Sequence, residues 1–188
     1  LNGQQKDVAL KFTSDAVKGT ADGLTLNVNG LGAAKTDTAA QKTVKVDANG
    51  IENLTVVATG DNFMDLSAAA TKSIVASGEG NLTITAVKGI TSFDASAMAG
   101  DVTADLSASG TLTSIKGGAG DDSISLDLSK VSAKAEIAGG EGDDTLIVSG
   151  SGTIQPTMSG FETLKVTTTS GSLTVSGKEI SDLDTVIL

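Results

Sequence analysis

Residues 111–150 read TLTSIKGGAGDDSISLDLSKVSAKAEIAGGEGDDTLIVSG. Two nonapeptides dominate this stretch, GGAGDDSIS (117–125) and GGEGDDTLI (139–147), offset by 22 residues. Each sets glycines at its first, second and fourth positions, follows them with two aspartates, and ends on an alternating apolar run. Towards the N-terminus the frame continues with fewer acids. Gly60, Gly80, Gly100 and Gly120 recur every 20 residues, followed in turn by Asp61, Asn81, Asp101 and Asp121. After a slip of two residues the pattern returns at Gly142–Asp143. A fixed period in this range marks stacked supersecondary units, so the repeat decides the fold.

Aligned on their glycines, the copies are 51–69, 71–89, 90–108, 111–129 and 135–150. Four residues after the shared glycine stand Met64, Ile84, Ala104, Ile124 and Leu146. Two further on stand Leu66, Ala86, Leu106, Leu126 and Val148. Mostly Asp, Thr or Ser separates them, which is the period-2 pattern of a strand with one inward face. The spacing predicts an all-β protein, a parallel β-solenoid (β-roll or β-helix) with coils of about 20 residues. Each coil supplies two short strands, and like strands of successive coils pair in parallel. Independent hairpins in an antiparallel sandwich would also use short strands and glycine turns. Constant column spacing favours the solenoid.

The first 48 residues are less regular. VALKF (8–12), LTLNV (24–28) and TVKVD (43–47) read as strands, and 31–42, LGAAKTDTAAQK, as a long loop. This segment is expected to be irregular early coils or a cap (1–48) before the solenoid proper (49–188). Beyond Gly142 the next equivalent glycine is placed at Gly171. Pro156, the one proline, should mark an edge or loop in the extra length. FETLKV (161–166), SLTVSG (172–177) and DTVIL (184–188) are expected as closing strands. Asn49-Gly50 reads as a turn.

Composition narrows the chemistry. The chain of 188 residues has no Trp, Tyr or Cys and four Phe, so small aliphatic side chains must fill its interior. A thin solenoid suits them. With no Cys there is neither a disulfide framework nor a thiolate metal site. With no His and no Arg, a Ser-His-Asp or Cys-His pair, imidazole-bound zinc and an arginine clamp are all absent. A net charge of −10 argues against nucleic acid as a partner. No apolar run approaches the roughly 18 residues that suggest a membrane span, so no membrane insertion is expected.

Clustered carboxylates and carbonyls suit a hard cation. Both nonapeptides fit G-G-x-G-x-D-x-U-x, which binds Ca²⁺ in parallel β-rolls. The glycines allow φ > 0 and bring backbone carbonyls into one concave turn. The aspartate adds an anionic oxygen, and Ca²⁺ accepts 6 to 8 such ligands. The candidate metal-binding residues are Gly117, Gly118, Ala119, Gly120, Asp121 and Asp122 in one turn. In the other they are Gly139, Gly140, Glu141, Gly142, Asp143 and Asp144. Stacked one coil apart, the turns should set Asp122 and Asp144 on opposite sides of one ion, with further half-sites above Gly142 or below Gly118. At the Asp122 position the earlier copies carry Asn62, Leu82 and Val102. Leu82 and Val102 cannot coordinate, so their turns are expected to be plain, and Asn62 with Asp61 reads more readily as a simple turn than as a weaker site. Asp65, Asp105 and Asp127 read as outward solvating charge.

The nonapeptides resemble the RTX repeats of bacterial proteins secreted by type I systems. The flanking ENLTVVATGDNFMDLSAA, ITSFDASAMAGDVTADLSASG and GFETLKVTTTSG look like surface-layer (S-layer) proteins of that class. The resemblance covers roughly 49–188, and it departs from longer RTX arrays in having only two full motifs. It implies a secreted structural protein of the cell surface that calcium folds after export and that self-associates in a two-dimensional lattice. Cell-surface polysaccharide would meet regions outside this chain. The implied ligands are carbonyls of the 117–121 and 139–143 turns with the Asp122 and Asp144 carboxylates. DLDTVIL resembles the C-terminal export signal of such proteins and equally reads as a final strand. The other readings are a calcium-binding domain of a secreted adhesin and the non-catalytic tail of a secreted hydrolase. An enzyme is not expected: adjacent acids on a turn are not the spaced carboxylate pair of a glycosidase.

Overall fold

The computed structural model describes residues 1–3, 5–13, 15–37, 39–85, 87–154, 157–167, 173–175 and 181–188. The chain opens with β1 (Val8–Ala9), β2 (Gly23–Asn29) and β3 (Val44–Asp47). Coils of two strands follow: β4 (Asn53–Thr59) with β5 (Asn62–Ser67), then β6 (Ser73–Gly78) with β7 (Leu82–Thr85). Next come β8 (Ser92–Met98) with β9 (Val102–Asp105), and β10 (Leu112–Lys116) with β11 (Ser123–Asp127). A single 3₁₀ turn, Leu128–Lys130, leads into β12 (Val131–Ala138) and β13 (Thr145–Ser149). Short strands close the described chain: β14 (Gly152–Ile154), β15 (Thr157–Ser159), β16 (Thr163–Val166), β17 (Leu173–Val175) and β18 (Thr185–Ile187).

These strands stack as a parallel β-solenoid. One sheet runs β1-β3-β5-β7-β9-β11-β13-β16-β18 and the facing sheet runs β15-β12-β10-β8-β6-β4-β2. Every strand pair in both is parallel, as the constant period predicts. The first inward column is continuous: Val44 pairs with Met64, then Ile84, Ala104, Ile124, Leu146 and Leu164. The second carries Val46 and Leu66, and later Leu126 and Val148; Ala86 lies outside the described residues. The facing sheet contributes Leu54, Ile74, Phe93, Ile115, Ile137 and Met158 in register. From Val44 to Leu164 these side chains are buried. At roughly 1.5–3 kcal/mol per large aliphatic or aromatic side chain buried, this column is the main favourable term. Offsets that depart from 20 are absorbed where register shifts, between Val75 and Ser77 and between Leu112 and Ser114.

The N-terminal segment joins the same sheets. β2 pairs with β4 through seven residues and β3 with β5 through four. Of VALKF only Val8–Ala9 is strand. The loop expected at 31–42 leaves the coil and is closed at its base by Ala33 and Lys42, which exchange two backbone hydrogen bonds of 2.8 Å. Leu31, at its start, is fully buried.

The far end differs from expectation. The next turn after Gly142 falls at Gly160, not Gly171: Gly139 N donates to Ser159 O at 2.9 Å, and β16 pairs with β13 directly. The extra residues come later, between β16 and β18. Within them β17 pairs with β14 in a small separate sheet. Gly171 and Pro156, with parts of 172–177, lie outside the described residues. DTVIL does supply a strand, β18, parallel to β16.

Candidate metal centre

The glycine turns stack so closely that their backbones touch. A Cβ on Gly80 would collide with Gly60 O, and one on Gly100 would lie 2.6 Å from Gly80 O. Few of these glycines use the positive φ that the residue allows. Gly80, Gly100, Gly117, Gly118, Gly120 and Gly139 do not have positive φ; only Gly140 (127°) and Gly142 (108°) among the motif glycines do. Most are glycine because the neighbouring coil leaves no room for a side chain.

Two ladders of side chains run along this stack. The outer one is exposed: Asn81 donates to Asp61 Oδ1 (2.9 Å) and its own Oδ1 accepts from Asp101 N (2.9 Å). Asp101 then accepts from Asp121 N, and Asp121 from Asp143 N, each at 3.0 Å. Asp121 and Asp143 therefore tie one coil to the next through backbone N–H groups.

The inner ladder is buried. Asn62 heads it, its Oδ1 accepting from Leu31 N (3.1 Å) and its Nδ2 donating to Thr59, Gly60 and Asn81 carbonyls. That amide is fully used, so this turn is plain. Leu82 and Val102 occupy the next two rungs as apolar core. Then the rungs become acids. Asp122 Oδ1 accepts from Val102 N (2.8 Å) and Oδ2 from Gly118 N (2.5 Å). Asp144 Oδ1 accepts from Asp122 N (2.7 Å), and Glu162 Oε2 accepts from Asp144 N (2.6 Å).

Asp122 and Asp144 are 2% and 1% exposed. Burial pushes the Asp122 carboxyl up from its ordinary range, against the N–H bonds from Gly118 and Val102 that lower it, with Asp101 and Asp121 adding repulsion. Asp144 is pushed up to about 7, first by burial, opposed by the Asp122 N–H, and then by the charges of Asp122, Glu162 and Asp121. Its Oδ2 is buried with no hydrogen-bond partner. An unpaired buried carboxylate oxygen is costly, and a proton or a cation relieves it.

Asp122 and Asp144 thus occupy successive rungs of one column, linked by the Asp122 N–H to Asp144 Oδ1. Each faces its own small cradle. A Cβ on Gly117 would collide with Gly139 O and lie 2.5 Å from Asp122 Oδ2, so these two oxygens converge there. A Cβ on Gly139 would collide with Gly160 O and Asp144 Oδ2, which converge likewise. Ala119 and Glu141 complete the turns through backbone, Ala119 N to Met98 O and Glu141 N to Gly118 O, both 3.0 Å. All the donors are oxygens, and the orphaned Asp144 Oδ2 asks for positive charge; the residues fit Ca²⁺ in chemistry. Among the described residues no three acidic side chains converge, so carbonyls and water must complete any shell.

Sequence reasoning missed Glu162, Gly160 and Asp184. Glu162 continues the inner column beyond Asp144, and Asp184 continues it again, its N donating to Glu162 O at 2.9 Å. The signal was present. Gly160-Phe161-Glu162-Thr163-Leu164 repeats the Gly-x-acid-Thr-Leu of 142–146, but at an offset of 18, away from the 20-residue frame. Asp105 and Asp127, read as solvating charge, each accept from the N (3.0 Å) and Oγ (2.6 Å) of the serine two residues on, closing the second corner of the coil. A groove beside that corner, lined by Lys45, Asp65, Ser67 and Lys88 among others, holds a single carboxylate.

Fold and ladders define the class, a parallel β-solenoid consistent with a β-roll, with carboxylate rungs in its last coils. Compared with known proteins, the chain is matched by no family model, no curated protein and no solved structure.

Proposed function

We propose that this chain is a structural module, a Ca²⁺-stabilised β-solenoid segment of a secreted bacterial surface-layer protein. It serves extracellular folding and assembly in a two-dimensional lattice. The observation that carries the calcium reading is the stack of buried carboxylates whose Asp144 Oδ2 has no partner within the protein. The surface-layer reading is supported by the resemblance of the flanking repeats. Asp122 and Asp144, with carbonyls of the 117–121 and 139–143 turns, would hold the ion, which supplies the positive charge that these turns lack.

The chain's own residues do the rest. Without calcium the stacked acids repel across one coil spacing and disfavour the last coils. With calcium the native state gains RT ln(1 + [L]/Kd), about 2.7 kcal/mol at a hundredfold excess over Kd. For a chain of this length that is a rise in Tm of about 5–10 °C. The test is thermal unfolding by circular dichroism in chelator and in millimolar Ca²⁺. The wild type is expected to gain stability and Asp122→Ala/Asp144→Ala to lose the gain. A wild-type Tm that calcium does not move would overturn the reading. Ordered sheets under the electron microscope with calcium, and none in chelator, are expected for the lattice role.

A further inference from the structure

We infer that a calcium site lies one coil beyond the paired glycine-rich motifs, between the 139–144 turn and the Gly160–Glu162 turn, held by Asp144, Glu162 and the Gly160 carbonyl. It rests on the proposed function only in taking calcium as the ion.

The two cradles are built alike but satisfied differently. Between the motifs, Asp122 Oδ2 already accepts the Gly118 N–H at 2.5 Å. One coil on, Asp144 Oδ2 occupies the equivalent place and accepts nothing, although the residue is 1% exposed. The turns differ at the residue that would donate: Gly140 has φ 127°, whereas Gly118 lies outside the positive-φ region. The first cradle is thus closed by the protein's own N–H, and the second is left with an anionic oxygen that no protein group satisfies and that a cation would.

The surroundings of the second cradle suit Ca²⁺. Gly160 O and Asp144 Oδ2 converge over the Gly139 Cα, which has no Cβ to obstruct them. Glu162 brings a second carboxylate to the same turn, tied by Oε2 to Asp144 N at 2.6 Å. Two carboxylates balance a divalent charge, and a flexible oxygen shell completed by carbonyls and water is the habit of Ca²⁺ more than of Mg²⁺. Neither acid enters an ion pair among the described residues, so no lysine supplies the missing charge. The Gly160 turn lies outside the glycine-rich nonapeptides, so their pattern offers a half-site above Gly142 without the residues that complete it.

The test is calorimetric titration of the metal-stripped chain with CaCl2 at neutral pH. The variants are Glu162→Gln, Asp144→Asn, Asp122→Asn and, as a remote exposed acid of the same turn stack, Glu79→Gln. The amides keep the oxygens that hold the Val102, Asp122 and Asp144 N–H groups, and circular dichroism verifies that each variant folds. Glu162→Gln and Asp144→Asn are expected to weaken calcium at least tenfold. Asp122→Asn should retain a site, and Glu79→Gln should stay within twofold of wild type. A Glu162→Gln affinity within twofold of wild type overturns the site, and so does an equal loss in Glu79→Gln. If Asp122→Asn abolishes binding while Glu162→Gln does not, the ion lies between the motifs: the proposed function stands and this site falls. If the wild type shows no calcium binding, both fall.

Discussion

A Cβ on Gly100 would lie 2.6 Å from the Gly80 carbonyl oxygen and 2.7 Å from Asn81 Oδ1, inside any tolerable contact. Gly100→Ala is therefore expected to force the coils apart and cost about 1–3 kcal/mol, read as a lower urea midpoint at unchanged m. Asp144 governs the pH dependence. Its folded pKa, about 7, lies above the ordinary 3.8, so between those values the folded state binds more protons than the unfolded. The stabilisation is complete below the unfolded value and is lost as pH rises through the folded one. Metal-free stability should fall from about pH 4 to pH 7 by on the order of a few kcal/mol. Urea midpoints against pH check this: Asp144→Asn should flatten the slope.

At the scale of the element, each coil turns two corners by different means. The glycine corner stacks backbone on backbone. The other, after β9 and β11, is closed by an aspartate that caps the following turn: Asp127 holds Ser129 N at 3.0 Å and Oγ at 2.6 Å ahead of the 3₁₀ turn Leu128–Lys130. Asp127→Ala should cost about 1 kcal/mol, in the range of other lost caps. Lys130→Ala removes a weak 3.8 Å approach to Asp127 and the 2.9 Å hydrogen bond from Nζ to Ser107 O, and should cost about 0.5–1.5 kcal/mol, mostly from that hydrogen bond. Chemical denaturation of the two variants separates these contributions.

Across the whole molecule the solenoid couples each coil only to its neighbours, so stability is a sum of local terms. The inner column is apolar through Leu82 and Val102 and acidic from Asp122 onward. Calcium is expected to raise amide-exchange protection in β11, β13 and β16 while leaving β4 to β7 unchanged. Hydrogen exchange followed by mass spectrometry, with chelator and with calcium, reads this directly; uniform protection along the chain would contradict it. The last edge strand leaves Val186 and Ile187 55% and 46% exposed, and it should exchange fastest whatever the metal.

The sequence by itself determined the architecture. A parallel stack repeats one geometry at one spacing, so Met64, Ile84, Ala104, Ile124 and Leu146 announce their contact by position alone. It also located the acidic turns, because a glycine that must clear the next backbone can be no other residue. Only the tertiary structure decided where the column goes after Asp144. The coil there shortens, and Glu162 leaves the frame that spacing can read. Nor can composition say which of two like carboxylates is already satisfied. A hydrogen bond of Gly118 to Asp122, and the absence of its counterpart at Asp144, depend on how one peptide plane turns within each coil. That rotation is set by the backbone packed above and below it, and glycine, which permits either orientation, records neither.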